Sequence, residues 1–284
     1  MKVTVLIDNI GNERLPRRTG TPPLYSEWGL SFYIEYGERK VLLDAGGSGH
    51  FADNADELGT SLAEVDAAVL SHAHYDHADG METFFERNRT AKLYLREACG
   101  ENCCRISDSK TSGERMKYIG IRKGFFDRYG ERIIRVSGDY TISEGIRLLP
   151  HTTPGLAQAG AREKMYIREG NRWVTDCFAH EQSLVFETAE GPVVFNSCCH
   201  AGADNVIREV QAAYPGQTVR ALIGGFHLYN KSENYIRNFA GGLRQTGSTI
   251  LYTGHCTGQE GYEILKDELG ERVKRLRSGM RFEL

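Results

Sequence analysis

The sequence lacks a hydrophobic run long enough to cross a bilayer, an excess of either charge sign, and an even, regularly spaced set of cysteines. The apolar stretch in Met1-Lys2-Val3-Thr4-Val5-Leu6-Ile7-Asp8 is too short, and too soon broken by charge, for a signal peptide or membrane span. A cytoplasmic protein without a membrane partner is therefore expected. With 35 basic and 38 acidic residues the formal charge is −3, so no global field draws the chain to nucleic acid. Seven cysteines, including the adjacent pairs Cys103-Cys104 and Cys198-Cys199, do not form a secreted disulfide framework. Reduced thiols or metal ligands are left. Internal repeats and low-complexity linkers are also lacking, so the 284 residues, 40% apolar and 26% charged, read as one domain with a sizeable core.

Among the segments present, Ser31 to Tyr36 and Lys40 to Asp44 flank Gly37-Glu38-Arg39 as a hairpin, with Val3 to Ile7 pairing nearby. Ala67 to Ser71 is apolar enough for a buried strand, and a helix from about Asp79 to Asn88 places Met81, Phe84 and Phe85 on one face. The stretch from about residue 96 to 172 is polar and glycine-punctuated and reads as insertion-like, with short apolar runs at Arg132 to Val136 and Ile146 to Leu149. Strands return at Ser183 to Glu187 and Pro192 to Asn196. Helices from Asp204, over Glu233 to Leu243 and over Glu260 to Leu269 then alternate with strands at Val219 to Ile223 and Thr249 to Thr253. Early hairpins followed by alternating helices and strands imply an α/β (α+β) fold of stacked sheets with helices outside.

The chemistry concentrates at Ser71-His72-Ala73-His74-Tyr75-Asp76-His77, where a buried strand delivers three imidazoles and a carboxylate within six residues. Such a donor set suits zinc, iron, nickel or manganese far better than calcium or magnesium. The bland alternative, a surface loop that happens to hold histidines, fits poorly when only nine histidines occur in the chain. The strand at Pro192 to Asn196 also ends on potential donors, at Cys198-Cys199-His200, and later strands end at His227 and His255.

The His-x-His-x-Asp-His signature after a hydrophobic strand resembles that of the metallo-β-lactamase superfamily, whose fold is a four-layer αββα sandwich of two sheets flanked by helices. The blocks at Glu27 to Ser31, His180 to Leu184, Cys198 to Gly202, Gly224 to Leu228 and His255 to Gly258 are similar to those of a subgroup related to archaeal dihydropterin-ribofuranosylaminobenzene phosphate synthase. The resemblance implies one or two divalent ions, zinc foremost. His72 and His74 would join a later histidine around one ion, and Asp76 and His77 would join His255 around a second. Asp44 would support the ligand loop from behind. His180, just before a strand that leads into a hairpin, holds the place of the later histidine. Where the superfamily has a bridging aspartate, this chain has Asn196-Ser197-Cys198, so either Cys198 or His200 takes that role, the two pointing to the same side if the strand stays extended. Cys199 then faces away as a buried thiol.

The expected activity is hydrolysis of an ester, phosphoester, lactone or amide-type small molecule by metal-activated water, with Asp76 orienting the water or taking its proton. His227, after a glycine pair, is a candidate to bind substrate or stabilise the oxyanion, alongside a plain loop role. His151 reads as a polar wall or loop residue, His50 as a helix start, and Cys99, Cys103 and Cys104 as lacking a histidine partner for a separate zinc site. Arg122, Lys123 and Arg162 could bind a phosphate or simply be solvated. Rival readings are a di-iron redox enzyme, usually marked by a glutamate where this chain has His74, and a metal-dependent nuclease or phosphodiesterase, against which the balanced charge speaks. A non-enzymatic binding protein would be expected to have lost ligands, and here the motif is intact. A small-molecule substrate is the expected partner, nucleic acid is not, and a homodimer is compatible with the sequence.

Overall fold

The computed structural model describes residues 1–11, 24–109 and 113–284. One mixed sheet runs Arg281–Glu283, Lys2–Ile7, Ser31–Tyr36, Arg39–Leu43, Ala67–Val69, Lys92–Arg96, Ile133–Val136. A second runs Val273–Arg275, Ile250–Thr253, Ala221–Gly224, Val193–Phe195, Gln182–Phe186, Ile146–Pro150, Tyr140–Ser143. In both, antiparallel pairs at one side give way to parallel pairs at the other.

Side-chain alternation decides the layering. Val41, Leu43 and Val69 of the first sheet meet Leu184, Phe195 and Ile223 of the second in a central core. Their neighbours Leu42, Ala68 and Leu70 point the other way, onto Phe51, Met81 and Phe84 from the helices His50–Glu57 and Met81–Arg87. Val185, Val194 and Leu222 likewise leave the second sheet toward Val206, Ile236 and Leu265 from the helices Ala203–Ala213, Glu233–Gln245 and Gly258–Leu269. Four layers result, helix, sheet, sheet, helix, as the sequence leads one to expect. No described helix is long and apolar enough to cross a membrane.

The stretch 96–172 departs from the insertion-like reading. Ile133–Val136 pairs in parallel with Lys92–Arg96, and Ile146–Pro150 pairs with both Gln182–Phe186 and Tyr140–Ser143, so the first sheet takes one strand from it and the second takes two. What stands apart is a third sheet, Arg172–Thr175, Met165–Glu169, Cys103–Ser109, Gly113–Tyr118. It joins the histidine loop through Tyr75 N–H donating to Ile119 O at 2.9 Å and a bridge between His74 and Gly120, which lays it over the strand ends where the histidines gather.

Candidate metal centre

Asp44 follows the strand Arg39–Leu43, and Ser71 follows its parallel neighbour Ala67–Val69, so the two meet at one sheet edge. The Asp44 carboxylate, fully buried, accepts the Ser71 N–H and hydroxyl, each at 2.7 Å, and the His77 Nδ1–H at 2.8 Å. With its proton given to Asp44, Ser71 Oγ accepts His72 Nδ1–H at 2.8 Å. Both contacts fix the imidazoles with Nε2 turned inward. His255 is oriented from the far end of the chain: its Nδ1–H donates to Asn9 Oδ1 at 3.0 Å, and its backbone N–H donates to Asp8 Oδ2 at 2.9 Å. Among the described residues, six non-glycine residues have positive φ, and four of them, Asp44, Cys199, His227 and His255, lie on these turns. Strain of this kind concentrates where geometry is dictated by function.

Two donor groups result. His72, His74 and His200 bring ring nitrogens within 4.8 Å of one another. Nε2 of His72 and His74, and both nitrogens of His200, are buried without a hydrogen-bond partner. Each such orphan costs about 1–3 kcal/mol unless something fills it, and a cation is what neutral lone pairs accept. In the second group His77 Nε2 lies 3.2 Å from His255 Nε2 and 3.4 Å from Cys198 Sγ, while Asp76 Oδ2 lies 3.4 Å from His255 Nε2 and 3.7 Å from His77 Nε2. Donors on a tetrahedral zinc, at about 2.0–2.3 Å, are about 3.3–3.8 Å apart, so the spacing suits one ion. The groups adjoin, with the His72 and His77 ring centroids 4.3 Å apart.

Electrostatics agree with the geometry. Burial, then the neighbouring His77 and His74, push His72 well below its ordinary value, and burial with His180 pushes His74 to about 3. His200 is lowered by burial and by His227. These three are neutral imidazoles. Burial works against charge at His77, yet Asp76 and Asp44 raise it to about 9. The two carboxylates demand a positive charge there; a proton on His77 supplies it, and a divalent cation on the same nitrogen would do so more fully.

His180 stands beside His74, with ring centroids 5.4 Å apart, but its nitrogens are already engaged. Its Nδ1 accepts the Ala73 N–H at 3.3 Å and its Nε2–H donates to Asp176 Oδ2 at 3.0 Å, so both ring nitrogens have partners. Cys103, read as having no histidine nearby, falls within 4.8 Å of His74, Asp176 and His180 donors. Cys198 and His200 need not compete: the left-handed turn at Cys199 (φ 48°) sends the first to His77 and the second to His72 and His74. Cys199 Sγ faces back to Asn196 O at 3.4 Å, buried as expected. His151 does not line the cavity but is a loop residue held between Glu181 and Glu209. His50 opens its helix. Arg122 pairs with Asp79 and Glu82, Lys123 reaches the Glu101 carbonyl, and Arg162 is exposed, none lining the cavity.

His74, Asp76, Cys198, His200 and His255 line a cavity of about 230 Å³, with the fully buried His72 and His77 not reaching it. His227 stands in its wall, and the third sheet contributes Arg105 and Lys117 above. Arg105 donates to Tyr229 Oη at 3.1 Å, and Trp28 stacks edge-on to Tyr229 with centroids 5.4 Å apart. Sequence reasoning had not singled out Arg105, Lys117, Asn9 or Cys256. Nothing short of the third sheet's register could have placed the first two.

Residues 29–103 match the model of the Metallo-beta-lactamase superfamily. The solved structure of Tm1679, described as a metal-dependent hydrolase of the beta-lactamase superfamily, superposes with a TM-score of 0.81 over 100% of this chain and 99% of that one, at 24% identity. The fold is that of the metallo-β-lactamase superfamily. The subgroup resemblance holds as well: the 7,8-dihydropterin-6-methyl-4-(beta-D-ribofuranosyl)-aminobenzene-5'-phosphate synthase of Methanocaldococcus jannaschii is 27% identical over 277 residues, covering 90% of each chain. A diphosphatase of the PhnP family shares the metallo-β-lactamase fold more distantly, with a TM-score of 0.55 and 13% identity over 100% of this chain and 97% of that one. The superfamily is metal-dependent, and the histidine, aspartate and cysteine cluster is where this chain could hold its ions.

Proposed function

We propose that this chain is a metal-dependent hydrolase acting on a small anionic ester, a phosphoester foremost. The observation that carries the reading is the set of buried imidazole nitrogens without partners on His72, His74 and His200, of which His74 and His200 line an open cavity beside Asp76. His72, His74 and His200 would hold one ion and Asp76, His77, His255 and Cys198 a second; His180 serves instead as a support braced by Asp176. Zinc suits the mixed nitrogen and sulfur set, with iron the next choice, then manganese or nickel. A divalent ion supplies Lewis acidity, acidifying water and polarising the scissile oxygen.

The protein's own groups do the rest. Asp76 orients the attacking water and takes its proton. Burial opposes charge on His227, but the Cys256 sulfur and the Glu163 carboxylate raise it to about 9, so it carries a proton toward the oxygen on which charge develops. Arg105 and Lys117 attract the anionic part of the substrate, and Trp28 with Tyr229 offers an aromatic wall. The methanogen relative's name speaks of a 5'-phosphate compound; for this chain the argument for phosphate rests on the two cations.

The test is elemental analysis of purified protein, then assays on phosphodiesters, lactones, thioesters and β-lactams before and after chelation. His74→Ala should lose both metal and turnover. Full metal content in that variant would defeat the assignment.

A further inference from the structure

Cys256 has no part in the donor set above, yet it stands against it. Its Sγ lies 3.5 Å from Cys198 Sγ, and Cys198 Sγ in turn lies 3.4 Å from His77 Nε2. Donor atoms of Cys198, His255 and Cys256 all fall within 4.8 Å of one another, each residue buried. In an extended strand the consecutive His255 and Cys256 would point to opposite sides. Here a 3₁₀ turn over His255–Thr257, entered through His255 at φ 46°, brings both to one place. The fold keeps room for the sulfur: a Cβ on Gly225 would lie 2.5 Å from Cys256 Sγ. The backbone N–H of His227 donates to that sulfur at 3.2 Å, a contact that strengthens when the sulfur is anionic.

We infer that Cys256 is a second thiolate donor, completing with Cys198, His77 and His255 a tetrahedral set of four on this ion and leaving Asp76 beside it to orient water. The separation of the two sulfurs is near the edge of about 3.8 Å expected for two thiolates on a tetrahedral ion with metal–sulfur bonds of about 2.3 Å. Each thiol gives up a proton to solvent as the ion binds, and no electron is transferred. A pair of sulfurs restricts this position to thiophilic ions and leaves the harder Mn²⁺ to the histidine group.

The inference rests on the metal-centre reading, and one experiment separates the two. Wild type, Cys198→Ser, Cys256→Ser and Cys199→Ser are loaded with Co²⁺, and the near-ultraviolet sulfur-to-cobalt absorption is compared with the visible ligand-field bands. In each of the first two variants the sulfur absorption should fall by about half, with the visible bands retained; Cys199→Ser should match wild type. Undiminished sulfur absorption in Cys256→Ser overturns the inference and leaves the metal centre standing. Absence of cobalt bands in wild type overturns both. If Cys256→Ser fails to fold, K-edge X-ray absorption of the wild type loaded with two zincs decides: an average of one sulfur per zinc supports the assignment, and an average of half a sulfur refutes it.

Discussion

His151 lies between two carboxylates, with Nδ1 2.8 Å from Glu209 Oε2 and Nε2 2.9 Å from Glu181 Oε2. Both neighbours are acceptors, so both ring nitrogens donate and the ring is an imidazolium. Burial opposes that charge, but Glu181 and Glu209 outweigh it and raise His151 to about 9. Relative to an unfolded histidine at about 6.5, this corresponds to about 3 kcal/mol. The sign follows from linkage. The folded form holds the proton more tightly, so the stabilisation is complete below about pH 6.5 and is lost as pH rises toward 9. The lowered Glu209 is the same interaction seen from its partner and is not counted again. His151→Gln leaves two carboxylates facing each other without a cation, and metal-stripped variant and wild type can be compared by urea unfolding, read by circular dichroism, at pH 6, 7, 8 and 9. The variant should be less stable by about 3 kcal/mol at pH 6, with the gap closing toward pH 9. Equal stability at pH 6, or a gap that ignores pH, would refute the charge assignment.

Asp44→Asn cannot accept from Ser71 N–H, Ser71 Oγ–H and His77 Nδ1–H together, and metal affinity should fall about 10–100-fold in chelator competition. Arg105→Ala should raise KM for a phosphorylated substrate about tenfold or more while kcat changes little, since it removes a charge-assisted contact remote from the bond broken. Gly80→Ala should destabilise the fold by roughly 3 kcal/mol in thermal or urea melts, because its Cβ would lie 2.0 Å from Ala45 O and 2.5 Å from Ser48 O, both backbone.

Much of the sandwich is legible because its strands carry one-residue alternation and its helices an apolar stripe. Met81, Phe84 and Phe85 on one helix face, and Val206, Ile207 and Val210 on another, are read directly from spacing. Lys92–Arg96 has a readable alternation, with Leu93 and Leu95 buried, that drew no strand assignment. Val273–Arg275 and Arg281–Glu283 are three-residue strands whose existence depends on partners far away in sequence, and no local signal marks them. The first motif of the site is likewise local. His180 and His200 could not be ranked without the hydrogen bonds that engage both nitrogens of one and leave both of the other free. Extended-strand logic for Cys198 and His200 gave an inward direction for both, but the turn at Cys199 is what separates their targets.

The bonds from Asp8 and Asn9 to His255 span 247 and 246 residues. The strand of residues 2–7 that carries them is zipped on its other side to Arg281–Glu283, and Ser278 accepts the Asp8 N–H at 2.9 Å. His255 is thus aimed by two side chains that precede it by almost the whole described length. A nascent chain cannot aim this histidine until it has returned to the strand Lys2–Ile7. Metal capture at this centre would therefore act as a seal on the folded molecule, locking together segments 246 to 247 residues apart.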